Sequence, residues 1–141
     1  MRTILLTLGS LLSFAGCGDG RPERLPVMGQ VLIDGQPLSF GQVLFHSKDH
    51  RPATGKIQSD GRFELSTYER GDGCVLGSHH VTVDAGENVS VTARKWHAPP
   101  KYASPNGSGI VVEVEEDMAP VEISLTWDGG KPYVERILGG E

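Results

Sequence analysis

The sequence predicts an all-β sandwich, and three observations carry that reading. Apolar residues alternate with polar ones in short runs, as in Phe63 and Leu65 between Arg62, Glu64 and Ser66. Turn-forming Asp-Gly, Pro and Asn-Gly signals separate those runs, and past the N-terminal segment no run shows the 3.6-residue apolar period of a helix. Short half-buried strands with frequent turns are the pattern of a two-sheet core. The stretch Ser59 to Tyr68 shows it most compactly, since Asp60-Gly61 supplies a turn and Phe63 and Leu65 a strand with one buried face. That stretch reads as a β-hairpin back onto the segment Ala53 to Ser59.

Residues 1–16 stand apart. Arg2 and the apolar run Ile4 to Phe14 have the charged and hydrophobic regions of a secretory signal. About eleven apolar-leaning residues are fewer than the roughly 17 to 25 that span a bilayer. Phe14-Ala15-Gly16-Cys17 resembles the lipobox of bacterial lipoproteins, with Phe14 in place of the usual Leu. The resemblance implies cleavage before Cys17 and lipidation of that cysteine, hence a membrane anchor. The alternative is an ordinary secreted chain cut near Ala15.

Removing 16 of 141 residues leaves 125, which fits one domain with a modest core. With Arg2 gone from the 13 basic side chains, against 18 acidic ones, the formal charge moves from −5 to −6. Nucleic acid is a poor partner for such a chain, because binding it needs a basic face. With Cys17 taken by lipid, Cys74 has no partner, so a disulfide framework is excluded within one chain. Cys74 lies among Gly71, Asp72, Gly73 and Gly77, and the sequence reads it as an inert loop thiol.

The elements then follow in order. Residues 17–26 hold two prolines, glycines and alternating charges, and read as an extended linker. The domain, residues 27–127, opens with a strand carrying Val27, Gly29, Val31 and Ile33 on one face, and turns at Asp34-Gly35. Gln42 to His46 places Val43 and Phe45 inward, and His79, Val81 and Val83 share the inner face of a later strand. Ala85 to Gly109 reads as a long polar connection with one short strand at Val89 to Ala93. Ile110 to Glu115 and Val121 to Trp127 are two further strands, and residues 128–141 read as a loosely held extension.

Gly29 to Leu38, Gly41 to Phe45, Thr54 to Leu65 and Pro99-Pro100-Lys101-Tyr102 together resemble the transthyretin-like, carboxypeptidase regulatory-like domain. Small bacterial lipoproteins made of a lipobox, a linker and one such domain are the nearest likeness. The resemblance implies a Greek-key-type sandwich of about seven strands with no enzymatic activity and no cofactor. It transfers one functional residue, the lipidated Cys17.

The residues themselves offer little catalytic chemistry. There is no Gly-x-Ser-x-Gly elbow, and Gly71-Asp72-Gly73 is too short for a phosphate cradle. His79 and His80 are adjacent on a strand and point to opposite faces, so regular geometry does not bring them to one metal ion. A fold can assemble a site from His46, His80 and a carboxylate such as Asp84, and scattered surface histidines are the commoner outcome. Trp96 and Tyr102 flank Pro99-Pro100 and, if exposed, form a platform for sugar or peptide; packing of the loop onto the sheet competes with that reading. The expected function is therefore a lipid-anchored, non-catalytic structural or protein-interaction module of the bacterial cell envelope, facing the periplasm or exterior. The alternative is a carbohydrate- or other ligand-binding module centred on Trp96 and Tyr102.

Overall fold

The computed structural model describes Gly16 and residues 18–137. The expected leader, Cys17 and the last four residues lie outside the described residues. The chain forms an all-β sandwich. Its thirteen described strands exceed the expected seven, because several are two-residue pairings at the sandwich margins.

One sheet is built on β2 (Met28–Ile33), whose neighbours are β12 (Val121–Leu125) on one edge and β3 (Gln36–Pro37) and β6 (Arg62–Glu64) on the other. The β2–β12 pair is parallel, with Val31 opposite Ile123. Asp34 and Gly35 both have positive φ, 47° and 79°, which is the two-residue turn that matches strand twist, and it folds β3 back onto β2. The second sheet runs β11 (Ile110–Val114), β8 (Gly77–Asp84), β4 (Gln42–His46) and β5 (Ala53–Lys56), all antiparallel. Alternation along β8 buries His79, Val81 and Val83 as the sequence predicts. These meet Val31, Phe63, Ile123 and Leu125 of the first sheet in one core.

The hairpin expected at Asp60-Gly61 forms only in part: Gln58 N–H donates to Arg62 C=O at 2.8 Å and Thr54 pairs with Ser66, while Arg62–Glu64 takes its ladder with β2. The turn is present, with Gly61 N–H donating to Gln58 C=O at 2.9 Å, but it carries the chain from one sheet to the other. Steric fit decides this. Phe63 lies opposite Gly29 in the β2–β6 register, and a Cβ at Gly29 would collide with the Phe63 ring and with Val121 C=O. The ring occupies the space a side chain would take and lies 6.4 Å from the Phe45 ring across the core. The Thr54–Ser66 bridge, beside the Gln58–Arg62 bond, joins the β5 segment to the chain beyond the turn.

Three further stretches differ from the sequence expectation. The linker is docked: β1 (Arg24–Leu25) pairs with β7 (Cys74–Val75). Val89 to Ala93 is not one strand but spans a hairpin turn between β9 (Gly86–Ser90) and β10 (Ala93–Trp96). The C-terminal extension supplies β13 (Tyr133–Arg136), which completes a three-stranded sheet against β10. Between β10 and β11 the chain makes a 3-10 turn at Pro100–Ala103 and one helical turn, α1 (Pro105–Ser108). The Ser108 hydroxyl donates to Val81 C=O at 2.6 Å and ties that turn to β8.

Asp72 fixes the docked N-terminal segment. Its carboxylate accepts the backbone N–H groups of Thr67 (2.6 Å), Tyr68 (3.0 Å) and Glu69 (3.0 Å). Arg24 Nε lies 2.9 Å away as a charge contact, without the alignment of a hydrogen bond. Arg21 and Arg24 also lie over the Tyr68 ring at 4.8 and 5.0 Å. Burial on its own would raise the Asp72 pKa, but the three backbone donors and Arg24 outweigh it and hold the carboxyl below its ordinary 3.8.

A depressed folded-state pKa stabilises the fold above the ordinary Asp range, and that contribution is lost as pH falls through the folded value. Asp72→Asn is therefore expected to cost about 2 kcal/mol at pH 7, a gap that narrows as pH falls below the ordinary Asp value of 3.8 towards the lower folded one. Urea melts of both proteins at pH 7 and pH 3 measure it; an unchanged wild-type-to-variant gap at pH 3 would remove Asp72 from the account. Gly29→Ala is expected to cost about 3 kcal/mol by overpacking against Phe63, and a shift of the urea midpoint without change of slope reads it.

Candidate functional site

The register of the second sheet brings polar side chains from distant parts of the chain into one row. Gln42 sits opposite Lys56 on β5 and opposite Asp84 on β8, so the three lie side by side across the outer face at the end of the sheet. Arg94 on β10 extends the row. Its Nη2 donates to Asp84 Oδ1 at 2.7 Å, and Gly86 N–H donates to the same oxygen at 3.0 Å. A Cβ at Gly86 would strike the Arg94 guanidinium, so that close approach requires glycine. The row floors a groove of about 780 Å³ whose walls are Ser39, Phe40 and Gly41 before β4, Gln58 and Ser59 after β5, and Asn88 on β9.

Trp96 and Tyr102 support this region from inside. Both are buried. The Trp96 indole N–H donates to Glu135 Oε2 at 2.8 Å, and the Arg94 guanidinium lies 4.6 Å from the centre of its ring. The Tyr102 hydroxyl donates to Thr126 C=O at 3.3 Å and accepts from Thr126 N–H at 3.2 Å. Each aromatic thus has its polar atom partnered by the protein. The exposed platform imagined for the pair is absent, and the competing reading, aromatics that pack the loop onto the sheet, describes what these side chains do.

No family model, curated protein or solved structure matches the chain. The site has to be read from its own geometry.

The second notable surface is the β9–β10–β13 sheet. Val91, at the turn between β9 and β10, is 97 % exposed, and Val89, Val134 and Ile137 are about half exposed. Val91 and Ile137 line one depression, closed by the Ile137 N–H bond to Thr92 C=O at 2.8 Å. Val134 lies opposite Lys95, which lies opposite Glu87, so these share a face. β8 joins the docked N-terminal segment to this sheet: β7 precedes it and β9 follows it. Eight residues of strand separate the two ends by about 23 Å at roughly 3.3 Å per residue.

The remaining candidates are dispersed. His46 stands opposite His80 on the outer face, as the strand register requires. His46 Nε2 lies 2.9 Å from Thr82 Oγ1, and partial burial, then the neighbouring His80, lower the His46 pKa. Asp84 is bonded to Arg94 and Gly86 rather than facing the two histidines, and among the described residues no cluster of three or more His, Cys, Asp or Glu is placed to hold a metal ion. Among those residues no helix is long and apolar enough to cross a membrane. Cys74 is on strand β7 rather than in a loop, and it is buried beside His79, whose Nε2 lies 3.5 Å from the sulfur and 2.7 Å from Val75 C=O. The short contact to Val75 makes Nε2 the protonated nitrogen, so His79 does not serve as a base through that atom.

The groove residues carry no linear signal. Gln42, Lys56, Asp84 and Arg94 come from four strands, and only the pairing register brings them together.

Burial pushes the Cys74 thiol up to about 11, against a smaller opposing effect of the Val75 backbone N–H. Reaction with a disulfide reagent at pH 7.5 is accordingly expected to be slower than for the urea-unfolded chain by roughly two orders of magnitude. Comparable rates in the two states would show an open, reactive thiol.

Proposed function

We propose that the chain is a lipid-anchored envelope lipoprotein, attached through Cys17, whose single transthyretin-like domain acts as a non-catalytic structural or protein-interaction module. The observation that carries the reading is the placement of the valine-bearing three-stranded sheet about 23 Å along β8 from the docked N-terminal segment. An anchor at the N-terminus leaves that sheet as the surface turned away from the membrane. Isolated exposed valines are ordinary, but Val91 and Ile137 share a depression at the end of a sheet that also exposes Val89 and Val134. Such grouping in a chain otherwise well supplied with charge marks a surface that another apolar surface covers. The partner is an envelope protein with an apolar face of matching size.

Fractionation with intact mass tests the anchor. The wild-type chain is expected in the membrane fraction with an acyl-sized mass increment, and Cys17→Ala in the soluble fraction without it; two soluble, unmodified proteins would leave a freely secreted module instead. For the surface, a photo-crosslinker at Val91 is expected to trap one repeatable envelope protein in cells, lost on Val134→Asp. A crosslinker at Val111, exposed on the edge strand β11, serves as control. Equal yields at the two sites would sink the assignment of the partner to this sheet.

A further inference from the structure

We infer that the groove at the end of the second sheet is a binding site for an acidic saccharide, with Lys56 and Arg94, at opposite ends of the polar row, each taking a carboxylate and Gln42, Gln58 and Asn88 the hydroxyls. This does not rest on the partner reading above, and it gives Trp96 a supporting place beneath Arg94 rather than a ligand-facing one.

Charge gives the first argument. The mature chain is acidic, yet the groove holds two cations, Lys56 and Arg94, against one carboxylate, Asp84. Nearby acids are already engaged: Glu87 with His97 at 2.7 Å, Glu135 with the Trp96 indole, and Asp60 with the Arg62 backbone N–H at 3.0 Å. Lys56 is exposed and makes none of the ion pairs found among the described residues. Arg94 Nε is buried without a hydrogen-bond partner, while Nη2 is committed to Asp84. A polyanion laid along the row meets a free ammonium at one end and, at the other, a guanidinium already oriented by Asp84 and the Trp96 ring.

Lining chemistry gives the second. Primary amides offer two donors and one acceptor each, which suits neighbouring hydroxyls of a sugar ring. Asp84 Oδ1 accepts two donors and Oδ2 accepts none in the folded chain, so an acceptor remains for a ligand hydroxyl. The Phe40 ring, stacked on His97 with centroids 4.9 Å apart, supplies an apolar wall for the C–H face of a ring.

Spacing gives the third. Lys56, Gln42 and Asp84 lie on adjacent strands, which stand about 4.8 Å apart, an interval close to the length of one pyranose unit. An oligosaccharide laid across the strands presents roughly one ring per strand. A peptide fits less well, because the neighbouring strand edge is taken: Thr54 pairs with Ser66, and Gln58 N–H donates to Arg62 C=O at 2.8 Å.

Isothermal titration calorimetry on the full chain in detergent at low salt tests the site. The probes are hexagalacturonate, neutral maltohexaose and a hexaglutamate peptide. Saturable binding of hexagalacturonate is expected, at least tenfold tighter than maltohexaose and hexaglutamate. Lys56→Gln is expected to weaken hexagalacturonate about tenfold and leave maltohexaose unchanged, whereas Gln42→Ala weakens both. Unchanged urea midpoints show that neither variant acts through folding. A flat hexagalacturonate titration, an equal affinity for hexaglutamate, or indifference to Lys56→Gln each overturns the proposal. None of these outcomes alters the fractionation of Cys17→Ala, so the two readings fail separately.

Discussion

The two main sheets are coupled through one steric fit, the Phe63 ring over Gly29 and against Phe45. A glycine inside a strand weakens it locally, since it has no side chain to pack and more backbone freedom to lose. Here that loss is offset by an aromatic ring from β6 that fills the vacated volume and reaches across the core. Once Phe63 belongs there, Arg62–Glu64 has to pair with β2, and the Asp60-Gly61 turn carries the chain between sheets with only a partial hairpin across it. The separation of β5 from β6 follows, and with it the position of Gln58 and Ser59 on the wall of the groove.

How much of this was legible in the sequence depended on which force shapes each element. Strands built by burial were plain: Val43 and Phe45, His79 to Val83, and Ile123 with Leu125 alternate because one face meets the core. Their partners were not, since nothing in the period of a strand tells it which neighbour to take; the parallel β2–β12 pair left no trace. The β9–β10 hairpin was misplaced for a different reason. It is held by charge and hydrogen bonding, Arg94 to Asp84, His97 to Glu87 and Trp96 to Glu135, and such contacts leave no hydropathic rhythm. The docked linker belongs to the same class, since alternating Arg and Asp side chains read as solvated until Tyr68 and Asp72 are brought beside them.

The candidate site was the least legible part, although the residues singled out lay close to it. Trp96 attracted attention as an exposed aromatic, and the structure makes it the buried ring that carries Arg94. Asp84 was weighed with His46 and His80 as a metal ligand, and it orients the guanidinium instead. Both residues mark the place, and the choice between their alternative roles is made by which atoms end up facing solvent.

The clamp around Asp72 has a mechanical side. Any tension applied at the N-terminus enters the domain through the two-residue β1–β7 pairing and the Arg24 contact with Asp72 and Tyr68. That attachment is short and partly exposed to solvent, so it yields under load before the interlocked sheets do. Peeling it free releases residues 18–26, about nine residues with a contour of roughly 30 Å at full extension. The N-terminal segment thus has two reaches, a retracted one held by an aspartate and an extended one released by pull or by acid.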